Sequence, residues 1–185
     1  MILNDKKIRE LADRGMISPF VSEQVKGSDN ERLISYGLSS FGYDIRLAPE
    51  FKIVSNHRSG VIDPKRVNDN HYLDINENSC IIPPSGFVLS RSVEKLEIPD
   101  NILVLCVGKS TYARCGIIVN VTPLEPGWRG YITLEIHNTT VMPAKVYANE
   151  GICQLLFFQG DSCETSYGTR MGKYQDQVGI VLPRI

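Results

Sequence analysis

From Cys80 onward the chain is cut into short apolar runs, each closed by Gly, Pro, Asn or Asp. CIIPPSGFVLSRSVEKLEIPDN is followed by ILVLCVG, IIVNV, YITLEIHN, AKVYAN and ICQLLFF. Many short strands with turns between them point to an all-β sandwich or barrel. Parallel strands would need a long crossover between them, and the sequence has no βαβ rhythm. Upstream, FGYDIRL alternates, with Tyr43, Ile45 and Leu47 on one side and Asp44 and Arg46 on the other. That pattern predicts a half-buried strand. The chain opens on a short helix: Asn4 or Asp5 is placed to cap it, Ile8, Leu11 and Ala12 share a face, and Gly15 is placed to stop it. VSEQVKGSDNERLIS reads as a polar surface loop, and residues 54–79, with SNHRSG, DPKR and NDN, as a turn-rich stretch.

A length of 185 residues fits one domain spanning 1–185. Twenty Lys+Arg against 21 Asp+Glu leave a net charge of −1, which argues against a nucleic-acid-binding protein. A small anionic ligand stays open, because a few cations focused in one cleft suffice. MILNDKKIRE is not a signal peptide, and no apolar run approaches the roughly 18 residues of a membrane span, so the cytoplasm is expected. The five cysteines (Cys80, Cys106, Cys115, Cys153 and Cys163) form no CxxC pair and are expected to be reduced and mostly buried. His57, His71 and His137 are far apart and form no HxxxH or HxE pair.

Three segments carry groups suited to chemistry. GKSTYARCG, residues 108–116, offers a glycine, the Lys109 cation, the Ser110 and Thr111 hydroxyls and the planar donor fork of Arg114. It is not a Walker A loop, since the upstream glycine is missing. On its own it reads equally as a polar turn with Arg114 in a structural ion pair. In LEPGWRGYITLEIHN, Pro126 and Gly127 mark a turn, beyond which Ile132, Leu134 and Ile136 point one way and Tyr131, Thr133, Glu135 and His137 the other. Glu135 either faces solvent without a role or lines a cleft, where a partly dry carboxyl has a raised pKa and exchanges a proton near neutrality. GKYQDQVG, residues 172–179, is either a disordered tail or a lid supplying Lys173. His137 is expected at a surface or interface, and Trp128 in packing or at a subunit contact.

Together these segments resemble the dCTP deaminase family of the trimeric dUTPase-like superfamily. The resemblance runs from the helical start and SSFGYDIRL through GFVLSRSVEKLEIPDNI. It is strongest in GKSTYARCGIIVNVTPLEPGWRGYITLEIHN and ends in GKYQDQVG. It implies a mostly β fold, a distorted barrel of the dUTPase-like (β-clip) type with a short N-terminal helix, assembled as a homotrimer with active sites between subunits. It implies hydrolysis of dCTP to dUTP and ammonia, supplying dUTP for dUMP and thymidylate synthesis, and feedback inhibition by dTTP. By the same resemblance Glu135 is the catalytic glutamate, and Ser110 and Arg114 belong to a K/R-S-S/T-x-x-R pattern. Lys109 and Thr111 take phosphate-binding positions. Lys173, Gln177 and Tyr167 belong to a lid over residues 165–179. Glu125 stands where many relatives carry an aspartate near the deoxyribose.

The residue types agree with that chemistry. The H-x-E…P-C-x-x-C signature of zinc deaminases is absent, leaving Glu135 as the expected base without zinc. Arg114 is expected to hold its carboxylate, and Ser110 to bond the water or the tetrahedral intermediate. Lys109 and Lys173 are expected to offset the triphosphate charge, with Mg²⁺ bridging phosphate oxygens. The alternatives on the same fold are a bifunctional deaminase/diphosphatase giving dUMP and pyrophosphate, a plain dUTPase, and a non-catalytic nucleotide-binding trimer.

Overall fold

A computed structural model of the chain describes residues 1–30, 32–54 and 61–185. The expected turns of SNHRSG, with His57, lie outside the described residues. The first helix, α1 (Asp5–Ala12), is capped by Asn4 rather than Asp5, with Asn4 Oδ1 accepting from Lys7 N–H at 3.1 Å. Ile8 and Ala12 are buried, Leu11 packs at the core edge, and Gly15 follows in the left-handed region at φ 97°. No described helix is long and apolar enough to cross a membrane.

The remaining elements are β1 (Ile17–Ser18), β2 (Gln24–Val25), β3 (Tyr36–Ser39), β4 (Gly42–Val54), β5 (Tyr72–Asn76), β6 (Ser79–Ile82), β7 (Phe87–Glu97), β8 (Ile102–Gly108), α2 (Ser110–Ala113), β9 (Ile117–Asn120), β10 (Arg129–Asn138), β11 (Ala144–Tyr147) and β12 (Gly151–Gln159). Among the described residues one path of paired strands runs β2-β3-β4-β7-β10-β9, all antiparallel, and β6 and β11 form a separate ribbon. β4 is the corner piece. Its first half pairs with β12, which carries β8 on its far side. Its second half pairs with β5 and β7, with a register shift between Leu47 and Phe51. A strand that changes partners at a bulge bends the sheet over itself. The result is a mostly β, curled half-barrel, as the sequence pattern predicts.

The core lies inside the curl, where Tyr43, Ile45 and Leu47 of β4 meet Leu96, Ile132, Leu134, Ile136 and Phe157. Three findings differ from the sequence reading. The polar loop after α1 contains the edge strand β2. Asp44, on the expected outer side of β4, is only 2% exposed. The cysteines are all free, but Cys115 and Cys163 are exposed and only Cys80 and Cys153 are fully buried. Buried polar groups also interrupt β7: Ser90, Ser92 and Glu94 have no exposed surface. Each has a partner, as burial demands. Ser90 Oγ donates to Glu50 O at 2.8 Å, Ser92 Oγ to Glu94 O at 2.6 Å, and Glu94 faces Arg46.

Candidate active site

Glu135 occupies the middle of β10, opposite Leu89 of β7 and Asn120 of β9. Strict alternation sends Ile132, Leu134 and Ile136 into the core and leaves Glu135 on the other face. That face is the floor of a cleft of about 370 Å³, walled by Phe87, Leu89, Val121, Pro123, Trp128 and Tyr167. The mostly apolar wall removes water from the carboxyl, and burial pushes its pKa up to about 7. Among the described residues Glu135 Oε2 has no hydrogen-bond partner. A carboxyl in this state exchanges protons near neutrality and keeps one oxygen available to a ligand. His137, farther along the same face, is half-buried and stacks on Phe87 with ring centroids 5.3 Å apart.

The C-terminal segment lies against this cleft. Gln177 forms a parallel bridge with Gly130, Tyr131 N–H donates to Gln177 O at 3.1 Å, and Gln177 Nε2 donates to Tyr131 O at 2.5 Å. Trp128 is 4% exposed and donates its indole N–H to Tyr174 O at 3.0 Å, and Tyr174 N–H donates to Tyr167 Oη at 3.0 Å. Farther on, Val181 N–H donates to Thr133 Oγ1 at 3.2 Å, so Val181 and Pro183 also line the cleft. The polar composition of 165–179 therefore does not leave the segment undocked. Main-chain bonds at Tyr131 and side-chain bonds from Trp128, Gln177 and Thr133 together hold it.

Glu125, Tyr167 and Gln177 line the Glu135 cleft, and Glu125 is ion-paired with Arg170. Lys173 lies outside it, with Nζ donating to Arg184 O at 3.0 Å. Lys109, Ser110, Thr111 and Arg114 of the same chain do not line it either. They sit on and before the exposed turn α2, where Arg114 Nη1 donates to Ser110 O at 3.2 Å. Thr111 borders a separate groove with Lys26, Arg32 and Tyr147. Lys109 is turned inward onto Asp44. One chain thus divides the residues expected at the site between two surfaces.

Residues 2–160 match the sequence model of a family described as dCTP deaminase-like. The chain belongs to the dCTP deaminase-like family. It is 57% identical over 185 residues to a dCTP deaminase of Francisella philomiragia, covering 99% of this chain and 98% of that protein. It is 58% identical to a dCTP deaminase of Pseudomonas aeruginosa with the same coverage. Among solved structures, 2'-deoxycytidine 5'-triphosphate deaminase from Agrobacterium tumefaciens superposes with a TM-score of 0.63 at 18% identity, over 86% of this chain and 48% of that one. This last likeness concerns the fold alone.

Within this family member, the cleft also uses residues that the sequence reading passed over. Phe87 and Leu89 come from β7, Val121 to Leu124 from the segment after β9, and Tyr174 from the docked C-terminal segment. An available signal was the alternation of FVL at the start of β7, which places Phe87 and Leu89 on one face. Tyr174, inside GKYQDQVG, was visible as the one aromatic of that run.

Proposed function

We propose that the chain hydrolyses dCTP to dUTP and ammonia, supplying dUTP for dUMP and thymidylate synthesis. The observation that carries this reading is Glu135, a carboxyl held near neutral pKa by burial at the floor of a cleft. Near-full-length similarity to proteins named dCTP deaminase supports the choice of substrate. In the reaction Glu135 accepts a proton from water as its oxygen adds to C4 of the cytosine ring. The same carboxyl gives that proton to N3 of the ring, then carries the remaining C4 hydroxyl proton to the amino nitrogen, so that C4=O forms as the C4–N bond breaks and ammonia leaves. The balance is dCTP plus water to dUTP plus ammonia, without zinc, whose deaminase signature the sequence lacks.

The substrate enters as its Mg²⁺ complex. Among the described residues no group of three or more His, Cys, Asp or Glu is placed to hold a metal ion. The ion would be held through the phosphate oxygens of the substrate and would offset triphosphate charge. A homotrimer supplies what one cleft lacks: a neighbouring subunit's copy of α2 would bring Ser110 and Arg114 to Glu135. Arg114 would orient the carboxylate, and Ser110 would bond the attacking water or the tetrahedral intermediate.

Glu125 favours a second reading, because it is a further carboxylate in the cleft suited to a diphosphatase step. Product analysis after incubation with Mg²⁺ and dCTP separates the two. We expect dUTP and ammonia in equal amounts. Formation of dUMP and pyrophosphate would establish the bifunctional enzyme, and unchanged dCTP with cleavage of added dUTP a plain dUTPase.

The docked C-terminal segment gives a further expectation. Gly130 has φ 142°, and a Cβ there would meet Gln177 N and O at 3.0 Å. Gly130→Ala therefore unlatches the segment by strain and close approach. We expect the KM for dCTP to rise about tenfold, as a closing lid contributes binding, with a smaller change in kcat. An unchanged KM would show that the Gln177 latch is not used in binding.

A further inference from the structure

Lys109 begins the segment that carries Ser110 and Arg114, yet its ammonium is withdrawn from solvent. Nζ lies 2.5 Å from Asp44 Oδ2, with side-chain exposures of 12% for the lysine and 3% for the aspartate. The two strands behind this contact are not neighbours. β4 and β8 flank β12 on opposite sides, with Asp44 opposite Gln154 and Gly108 opposite Cys153. Two strand spacings amount to about 9.6 Å, a distance that the long lysine stem can cross to reach a short carboxylate. Gln24 Nε2 also donates to Asp44 Oδ2, at 3.2 Å, tying the edge strand β2 to the same oxygen.

Taking both ions out of water costs hydration that their attraction repays only with good geometry, so net stabilisation is a weak reason for such a pair. Its placement gives a stronger one. The pair fixes the direction in which the chain leaves β8. α2 is a single turn, with Ala113 N–H bonded to Lys109 O and Arg114 N–H to Ser110 O. The setting of Lys109 therefore propagates rigidly to Ser110 and Arg114.

We propose that Asp44 is a positioning residue of the deaminase site, acting through Lys109 to aim Ser110 and Arg114. This rests on the deaminase reading above. In this role Asp44 balances the Lys109 charge and fixes its direction.

The test measures kcat and KM for dCTP by ammonia release from the full-length protein and its Asp44→Asn, Lys109→Met, Lys109→Arg and Asp44→Asn/Lys109→Met variants. Misplacing catalytic groups by about 1 Å costs about 10²-fold. We expect each of Asp44→Asn and Lys109→Met to lower kcat by about 10- to 100-fold, with KM changed less than about threefold. The double variant should be no worse than the single ones, because the residues act as one unit. Lys109→Arg, which keeps charge and reach, should stay within about threefold of the parent. If Asp44→Asn does not fold, Asp44→Leu/Lys109→Met leaves no buried charge and should show the same kcat loss. A KM rise with intact kcat in Lys109→Met would make Lys109 a phosphate contact and overturn the proposal. So would losses that multiply, or normal turnover in Asp44→Asn or, where that variant does not fold, in Asp44→Leu/Lys109→Met. If the parent protein releases no ammonia from dCTP, the deaminase reading itself falls and takes the proposal with it.

Discussion

Glu135→Gln should lower kcat for ammonia release by about 10³-fold, the scale of a lost general acid–base group. Nucleotide binding stays within a few-fold, because the amide keeps the shape of the carboxyl. The same substitution makes the folded chain more stable above neutrality. The Glu135 carboxyl has its pKa raised from 4.5 to about 7 by burial. Below the unfolded value both states are protonated and the group costs nothing. As pH rises from 4.5 to 7 the unfolded chain ionises while the folded chain holds its proton, so stability falls, levelling off above that range. The full shift corresponds to about 3 kcal/mol, and partial solvent access reduces it to about 1–3 kcal/mol. Thermal melts of both proteins should therefore diverge at pH 8 and converge toward pH 4.5, at fixed subunit concentration. For the parent protein, kcat/KM should fall below about pH 7, where the base is protonated. Equal melts at pH 8 would show that the ionised carboxyl is stabilised in the assembly, by water or by Arg114 of a neighbouring subunit. Normal turnover in Glu135→Gln would remove it from the mechanism. A residue that weakens the fold while serving the reaction is the expected trade at an active site.

The register of β10 was legible in the sequence because a strand has period 2, and Ile132, Leu134 and Ile136 leave only one face for Glu135. The short helix was legible for a similar reason: Asn4 caps it, and an apolar i, i+3, i+4 set lies on one side. Asp44 was not legible. Alternation correctly separates it from Tyr43 and Ile45, but the side it shares is covered by Lys109 and Gln24, from elements distant in sequence. Closeness along the chain also misleads for the site as a whole. Ser110 and Arg114 precede Glu135 by a short stretch, which suggests one site. Yet α2 sits between β8 and β9 on the exposed surface, while Glu135 looks into the β7–β10–β9 cleft. The polar C-terminal segment fits a tail or a lid equally well, since its attachment at Gly130 and Tyr131 runs largely through main-chain groups. Composition does not encode such bonds.

The broken polarity of β7 leads to the second large effect, at Glu94. Its carboxylate has no exposed surface. Oε1 accepts from Arg46 Nε at 2.7 Å and Oε2 from Arg46 N–H at 2.9 Å. Burial pushes its pKa up, and the Arg46 bonds oppose that rise. Arg46→Met keeps the backbone bond and removes the cation, leaving a buried carboxylate without its charge partner. Breaking a buried pair in this way costs about 3–5 kcal/mol. For a chain of this size that is a drop in Tm of about 6–20 °C. The loss should be larger at pH 8 than at pH 5, because a stranded Glu94 escapes its penalty by taking up a proton. Arg46→Met/Glu94→Gln, with neither charge, should recover most of the stability. The effect should reach the site as well, since β4, β7 and β10 are consecutive neighbours and Leu89 of β7 stands opposite Glu135. Turnover in the single variant should therefore decline at temperatures where the parent is fully active, and the double variant should restore it. A single variant within about 1 kcal/mol of the parent, or a double variant no more stable than the single, would mean that water reaches Glu94 and the pair does not brace the β4–β7 seam.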